Sequence, residues 1–172
     1  MENKAQLINQ LLNFFWTILG FSAVLIYWLS NPTYPWLYLI LLVSFLTLLL
    51  PSRYYTISKS KIIYERLGVK TVKRFVQDGD LVNKLFGSTS SNTKAKPARA
   101  TKNLNQYLRS LIMYERFHFL CFIFFLLTAI QGIKNGDYQI SIFILISNIF
   151  YNFYPIILQQ YNRLRILKLL KL

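Results

Sequence analysis

Two residues near the middle of the chain have the types and spacing for proton transfer. Glu115 and His118 lie in Tyr114-Glu115-Arg116-Phe117-His118, where a basic segment turns into a hydrophobic run, and His118 is the only histidine. On a helix, positions i and i+3 share a face, so the carboxylate can hydrogen-bond and orient the imidazole. Ionisable groups at the margin of a membrane helix are costly unless paired or facing a polar cavity, which marks the cluster as a candidate functional site. An interfacial anchor whose charges snorkel to the headgroups accounts for the same residues.

Further polar residues point toward the same end. Asn148, Asn152, Pro155 and Gln159 fall at i, i+4, i+7 and i+11, drawing a polar line toward Tyr161-Asn162-Arg163. Acyl transfer at a membrane needs groups of these kinds. A base takes the proton of an acceptor hydroxyl, donors steady the oxyanion formed at a thioester carbonyl, and cations hold a phosphorylated carrier. His118, oriented by Glu115, suits the first role, Asn162 and Arg163 the second, and Lys70, Lys73 and Arg74 the third. Each has a structural alternative: Arg163 and Arg165 as tail anchors, Asn148 and Asn152 as interhelical links, Lys70 to Arg74 as a headgroup-facing helix face. Asp78 and Asp80 read as turn and cap residues.

The elements that must position these groups follow from composition. Of 172 residues 54% are hydrophobic, yet the formal charge is +14. Nucleic-acid binders can be as basic, but their apolar residues are interleaved with polar ones; here they gather into long runs, which argues for a membrane protein and against a nucleic-acid partner. One cysteine, Cys121, gives no disulfide framework, and with one histidine it argues against an all-protein transition-metal site. The six glycines form neither a dinucleotide fingerprint nor a phosphate loop, and no G-x-S-x-G elbow is present.

The runs predict an all-α integral membrane protein, a single domain over 1–172, with four transmembrane helices at about 7–29, 36–50, 110–133 and 138–158. Trp28, Tyr34, Trp36 and Tyr38 flank the first hairpin like an aromatic belt. Between the second and third spans, residues 52–86 alternate basic and apolar positions as cytoplasmic amphipathic helices do: Lys59 to Leu67, Val69 to Gln77 and Leu81 to Phe86, broken at Gly68 and Asp78-Gly79. Residues 87–102 read as a flexible loop and the tail from Arg163 as a surface segment. Of 20 Lys and Arg, 14 lie between Arg53 and Arg116 and four after Gln160, so the positive-inside rule puts the large loop and both termini in the cytoplasm. The same charge serves for topology and for attraction to anionic membrane lipids.

Three stretches resemble the bacterial glycosyl-diaponeurosporenoate acyltransferase family. They are Tyr64-Glu65-Arg66-Leu67-Gly68-Val69-Lys70, with Lys73 and Asp78-Gly79; Glu115-Arg116-Phe117-His118; and Gln159-Gln160-Tyr161-Asn162-Arg163-Leu164-Arg165. Order and approximate spacing agree from about Tyr64 onward. Val72 stands where the family often has tryptophan, Gln77 and Leu164 where it often has proline, and Gln160 where it has arginine. The resemblance implies a bacterial multi-pass membrane protein of carotenoid biosynthesis that esterifies a sugar hydroxyl of a carotenoid glycoside with a fatty acyl group. It implies a lipid-linked sugar or glycolipid acceptor, an acyl-CoA or acyl-carrier-protein donor, and no tightly bound cofactor. It also brings Glu65, Arg66, Gln159 and Tyr161 to the substrate side beside Lys70, Lys73, Arg74, Asn162 and Arg163. Two other readings use the same residues: a non-catalytic membrane subunit or lipid-binding scaffold, and a small transporter. The last is disfavoured because the first, second and fourth spans carry no carboxylate.

Overall fold

Long apolar runs with few breakers give long helices, and prolines and glycines set where they turn. The computed structural model describes residues 2–75 and 97–170. Helix α1 covers Glu2–Ser30 and α2 Tyr34–Leu46, joined at Asn31-Pro32-Thr33, with Pro35 accommodated in the first turn of α2. Two single 3-10 turns, Thr47–Leu49 and Ser52–Tyr54, flank Pro51. The short helices α3 (Lys61–Arg66) and α4 (Val69–Phe75) follow, separated at Gly68, whose φ of +81° is the left-handed conformation that glycine adopts without a Cβ penalty.

Helix α5 runs from Pro97 to Lys134. It ends at Gly136, again at positive φ, with Asp137 N–H donating to the Gly132 carbonyl at 2.9 Å, the backbone closure of a Schellman motif. Helix α6 (Tyr138–Asn148), a π-helical turn (Ile149–Phe153) and α7 (Tyr154–Leu170) then form one rod that packs along α5. Pro155 explains the π turn. A proline has no N–H to give to the carbonyl four residues back and its ring collides with that carbonyl, so widening the preceding turn relieves both.

The packing is inside out. Ser44, Glu115, Thr128, Ser141, Asn148, Asn152 and Gln160 are buried, while Phe14, Leu25, Leu42, Phe117, Phe143 and Phe150 lie on the outside. In water such an arrangement is unfavourable, at about 25 cal/mol per Å² of apolar surface left exposed; in hydrocarbon it is the stable one. The apolar core is small: Ala23, Val24 and Tyr27 of α1 against Phe125, Ala129 and Ile144.

Several expectations are corrected. Two helices, not four, are long and apolar enough to cross a membrane among the described residues: Leu104–Lys134 and Tyr138–Leu170. The apolar stretches Thr17–Ser30, which is part of the longer helix α1, and Tyr34–Leu49 are shorter than these. In place of a separate amphipathic surface layer, α3 and α4 dock on α7, with Tyr64 and Val69 buried against Ile157 and Leu158. The expected loop over 87–102 is helical from Pro97 onward, because α5 begins well before Ser110, and the tail from Arg163 continues α7 as helix. The rest of that loop and the expected helix over Leu81 to Phe86 lie outside the described residues.

One close approach sets the spacing of α1. A Cβ on Gly20 would lie 2.7 Å from Tyr151 Cγ, and the Tyr151 ring is itself held edge-on by Phe21 at 5.4 Å and by His118 at 5.8 Å. Because the ring must leave these contacts to make room, Gly20→Ala should lower stability by about 1–3 kcal/mol, the usual cost of overpacking. Thermal unfolding of the purified protein in detergent would show it; an unchanged midpoint would mean that this contact is loose.

Candidate functional site

The polar groups of α5 and of the α6–α7 rod face one another and make a seam. Glu115 on α5 is fully buried. Its Oε1 accepts a 3.0 Å hydrogen bond from Gln160 Nε2, and Arg163 Nε lies 3.3 Å from its Oε2. Gln160 is the hub of this clasp. Besides Glu115, its Nε2 donates to the Tyr55 carbonyl at 3.0 Å, while its Oε1 accepts from Ile57 N–H at 3.0 Å and from the Tyr64 hydroxyl at 2.8 Å. All four hydrogen-bonding positions of the amide are therefore filled, and a carbonyl on one side with an N–H on the other fixes which way it faces. The Tyr64 hydroxyl also accepts from Ser58 N–H at 2.9 Å and shares its single proton between Gln160 Oε1 and the Ser58 carbonyl, and burial pushes its phenol above the ordinary range. Arg163 Nη2 donates to Thr56 Oγ1 at 2.8 Å. The clasp thus ties residues 55–58 to α5 and α7.

His118 sits one helical turn further along α5. Its polar neighbours are the Asn152 side chain and the Tyr151 backbone, both on the π turn. Asn152 Nδ2 donates to Asn148 Oδ1 at 2.8 Å, and Asn148 Nδ2 to the Phe122 carbonyl at 3.0 Å. Among the described residues, the buried side-chain polar atoms without a hydrogen bond are Glu115 Oε2, His118 Nδ1, Asn152 Oδ1, Gln159 Oε1 and Arg163 Nε, all of them on this seam. Glu115 Oε2 and Arg163 Nε face each other across the 3.3 Å ion pair, and His118 and Asn152 are polar neighbours, so the seam is where buried polar side chains of α5 and the α6–α7 rod converge. His118 Nδ1 and Asn152 Oδ1 belong to neighbouring side chains that are each other's polar partners.

The expected residues divide into three groups. Glu115 and Arg163 meet, but no hydrogen bond joins Glu115 to His118: the carboxylate is turned to Gln160 and Arg163 and the imidazole to Asn152. Glu65, Lys70 and Tyr161 also meet, on the outer side of α3, with Lys70 Nζ 2.8 Å from Glu65 Oε2 and the Tyr161 hydroxyl 3.2 Å from Oε1. Gln159 and Asn162 are half-buried on α7, and Arg66 is exposed at the end of α3. The side chains of Lys73 and Arg74 lie outside the described residues. Gln160, Asn152 and Tyr64 were not among the expected site residues, although Gln160 follows Ile156 and Ile157 at the helical spacing that buries it.

The outer pair has a pH signature. The hydrogen bond from Lys70 holds the Glu65 carboxyl below its ordinary value, and the same bond raises the Lys70 ammonium. Glu65's contribution is present above the ordinary carboxyl pKa, about 4.3, and is lost as pH falls through the depressed folded value. Lys70→Ala should move the Glu65 midpoint upward, read from its carboxyl carbon shift by NMR; an unmoved midpoint would show that the two groups do not interact in solution.

Fold and seam together define a protein that is helical and inside-out among the described residues, its two long helices enclosing buried polar groups. The chain belongs to the CrtO family, glycosyl-4,4'-diaponeurosporenoate acyltransferase, whose family model matches residues 51–172. No curated protein and no solved structure matches the chain. The match opens at Pro51, just before the segment that Gln160 ties down, and takes in every residue of the clasp; α1 and α2 precede it. Family and helices together point to a membrane location and to the acyltransferase class.

Proposed function

We propose that the protein transfers a fatty acyl group to a hydroxyl of a glycosylated lipid, such as a carotenoid glycoside, at the seam between α5 and the α6–α7 rod. The observation that carries this reading is that the family match covers a buried polar seam in which the His118 imidazole stands beside the Asn152 amide. A sugar hydroxyl that donates to the His118 imidazole is the one deprotonated, and Asn152, released from the imidazole, takes a neighbouring hydroxyl of the ring.

The chemistry balances with this chain's own groups. His118 removes the hydroxyl proton as the oxygen attacks the carbonyl of an acyl thioester, supplied by acyl-CoA or an acyl carrier protein. The ester C–O bond forms, the C–S bond breaks, and the departing thiolate takes the proton back from the imidazolium. Asn162 and the remaining N–H groups of Arg163 serve the oxyanion, and Lys70, Lys73, Arg74 and Arg66 receive the anionic donor. Glu115 and Gln160 act as positioning residues through the clasp, which holds α7 in register with α5. Tyr161 and Glu65 tie α3 to the same helix, and Gln159 offers a further acceptor to the sugar. In this reading the Pro97 end of α5 and the C-terminal end of α7, both basic, face the cytoplasm.

Lipid mass spectrometry of bacterial cells making a carotenoid glycoside, with and without the chain, tests the proposal. A new acyl ester on the sugar is expected only with the chain; unchanged lipids in cells whose membranes contain the folded protein would overturn it.

A further inference from the structure

A second feature lies on the opposite side of α5 from the seam. A groove of about 500 Å³ runs between the end of α2 with its 3-10 turn and α5, with Phe45 and Leu48 on one wall and Met113 and Phe117 on the other. Arg109 and Arg116 line it too, seven residues apart and therefore on nearly one helix face, about 10 Å apart along the axis. At 100° per residue that face points away from Glu115 and His118, so the groove and the seam are separate.

Both arginines are exposed, and neither has an ion pair among the described residues, where Glu115 is taken by Arg163 and Glu65 by Lys70. Phe45, Met113 and Phe117 are exposed as well, so the groove opens sideways onto the apolar outer surface rather than into water. An occupant must bring a negative charge for the two guanidinium groups and an apolar tail for the walls, and it must arrive within the plane of the membrane. Its size falls within the usual range for ligand sites, about 300–1,000 Å³.

We infer that this groove is a binding site for one anionic phospholipid, its phosphate held between Arg109 and Arg116 and an acyl chain laid against Phe45, Leu48, Met113 and Phe117. Guanidinium groups suit this task because their planar donors match phosphate oxygens in pairs. The site is independent of the catalytic reading, since none of its residues lies in the seam.

The test is binding of phosphatidylglycerol to the purified full chain in neutral detergent, followed by native mass spectrometry, with phosphatidylcholine of the same chains as the comparison. One molecule of phosphatidylglycerol is expected to remain bound, and Arg109→Gln with Arg116→Gln should weaken it about 30-fold, from about 1 kcal/mol per basic residue. Arg165→Gln, on the exposed side of α7, should leave it unchanged. Met113→Trp keeps both charges and fills the groove, and should also expel the lipid, so misfolding of the double variant does not decide the matter. Equal retention of phosphatidylcholine, equal loss in Arg165→Gln, retention in Met113→Trp, or displacement by inorganic phosphate alone would each overturn the inference.

Discussion

His118→Ala should abolish formation of the acyl ester while leaving the protein in the membrane at its normal level. General-base removal costs on the order of 10²–10⁴ in rate, and no second imidazole exists in the chain to substitute for it. The His118 ring packs beside Phe117 and Tyr151, and Asn152, one of its polar partners, keeps its hydrogen bond to Asn148 when the ring is removed. His118→Gln, which keeps a polar side chain of similar reach but cannot carry the proton, should be nearly as inactive. Quantifying ester per folded protein checks both variants; full turnover by either would remove His118 from the mechanism.

Arg163→Ala should have the largest effect on stability. Glu115 is fully buried and Arg163 nearly so, and removing one member of a buried pair strands the other charge at a cost of about 3–5 kcal/mol. Against a total stability of about 5–15 kcal/mol, this is enough to lower the yield of folded protein sharply. Adding Glu115→Gln should recover a large part of the loss, because a neutral amide can keep a hydrogen bond with Gln160 without a partner for its charge. Thermal unfolding of the three variants in one detergent gives the comparison. If Arg163→Ala alone were as stable as the natural chain, the clasp would contribute nothing to the fold.

Much of this was legible in the sequence, and what was not has identifiable causes. The two long helices were visible as apolar runs, and the polar line Asn148, Asn152, Gln159 did fall on the inner face, because helical periodicity alone determines it. The partner of Glu115 was misread: i and i+3 proximity made His118 the obvious choice, but a buried carboxylate goes to the donors that satisfy it best, and Gln160 and Arg163 arrive from another helix. Long-range pairs of this kind leave no local signature. The π turn at Ile149–Phe153 was likewise hidden, although Pro155 was its cue. The first two apolar runs were read as spans, but among the described residues their apolar stretches, Thr17–Ser30 and Tyr34–Leu49, are shorter than the two long helices.

The central claim is that a sugar hydroxyl is acylated at His118 and Asn152. Reconstituting the full chain in lipid vesicles with a fatty acyl thioester and a lipid glycoside, and following products by tandem mass spectrometry, tests it most directly. The account predicts one acyl ester on the sugar and one equivalent of free thiol, both dependent on His118. Free thiol without an ester, or an ester formed equally well by His118→Ala, would contradict it.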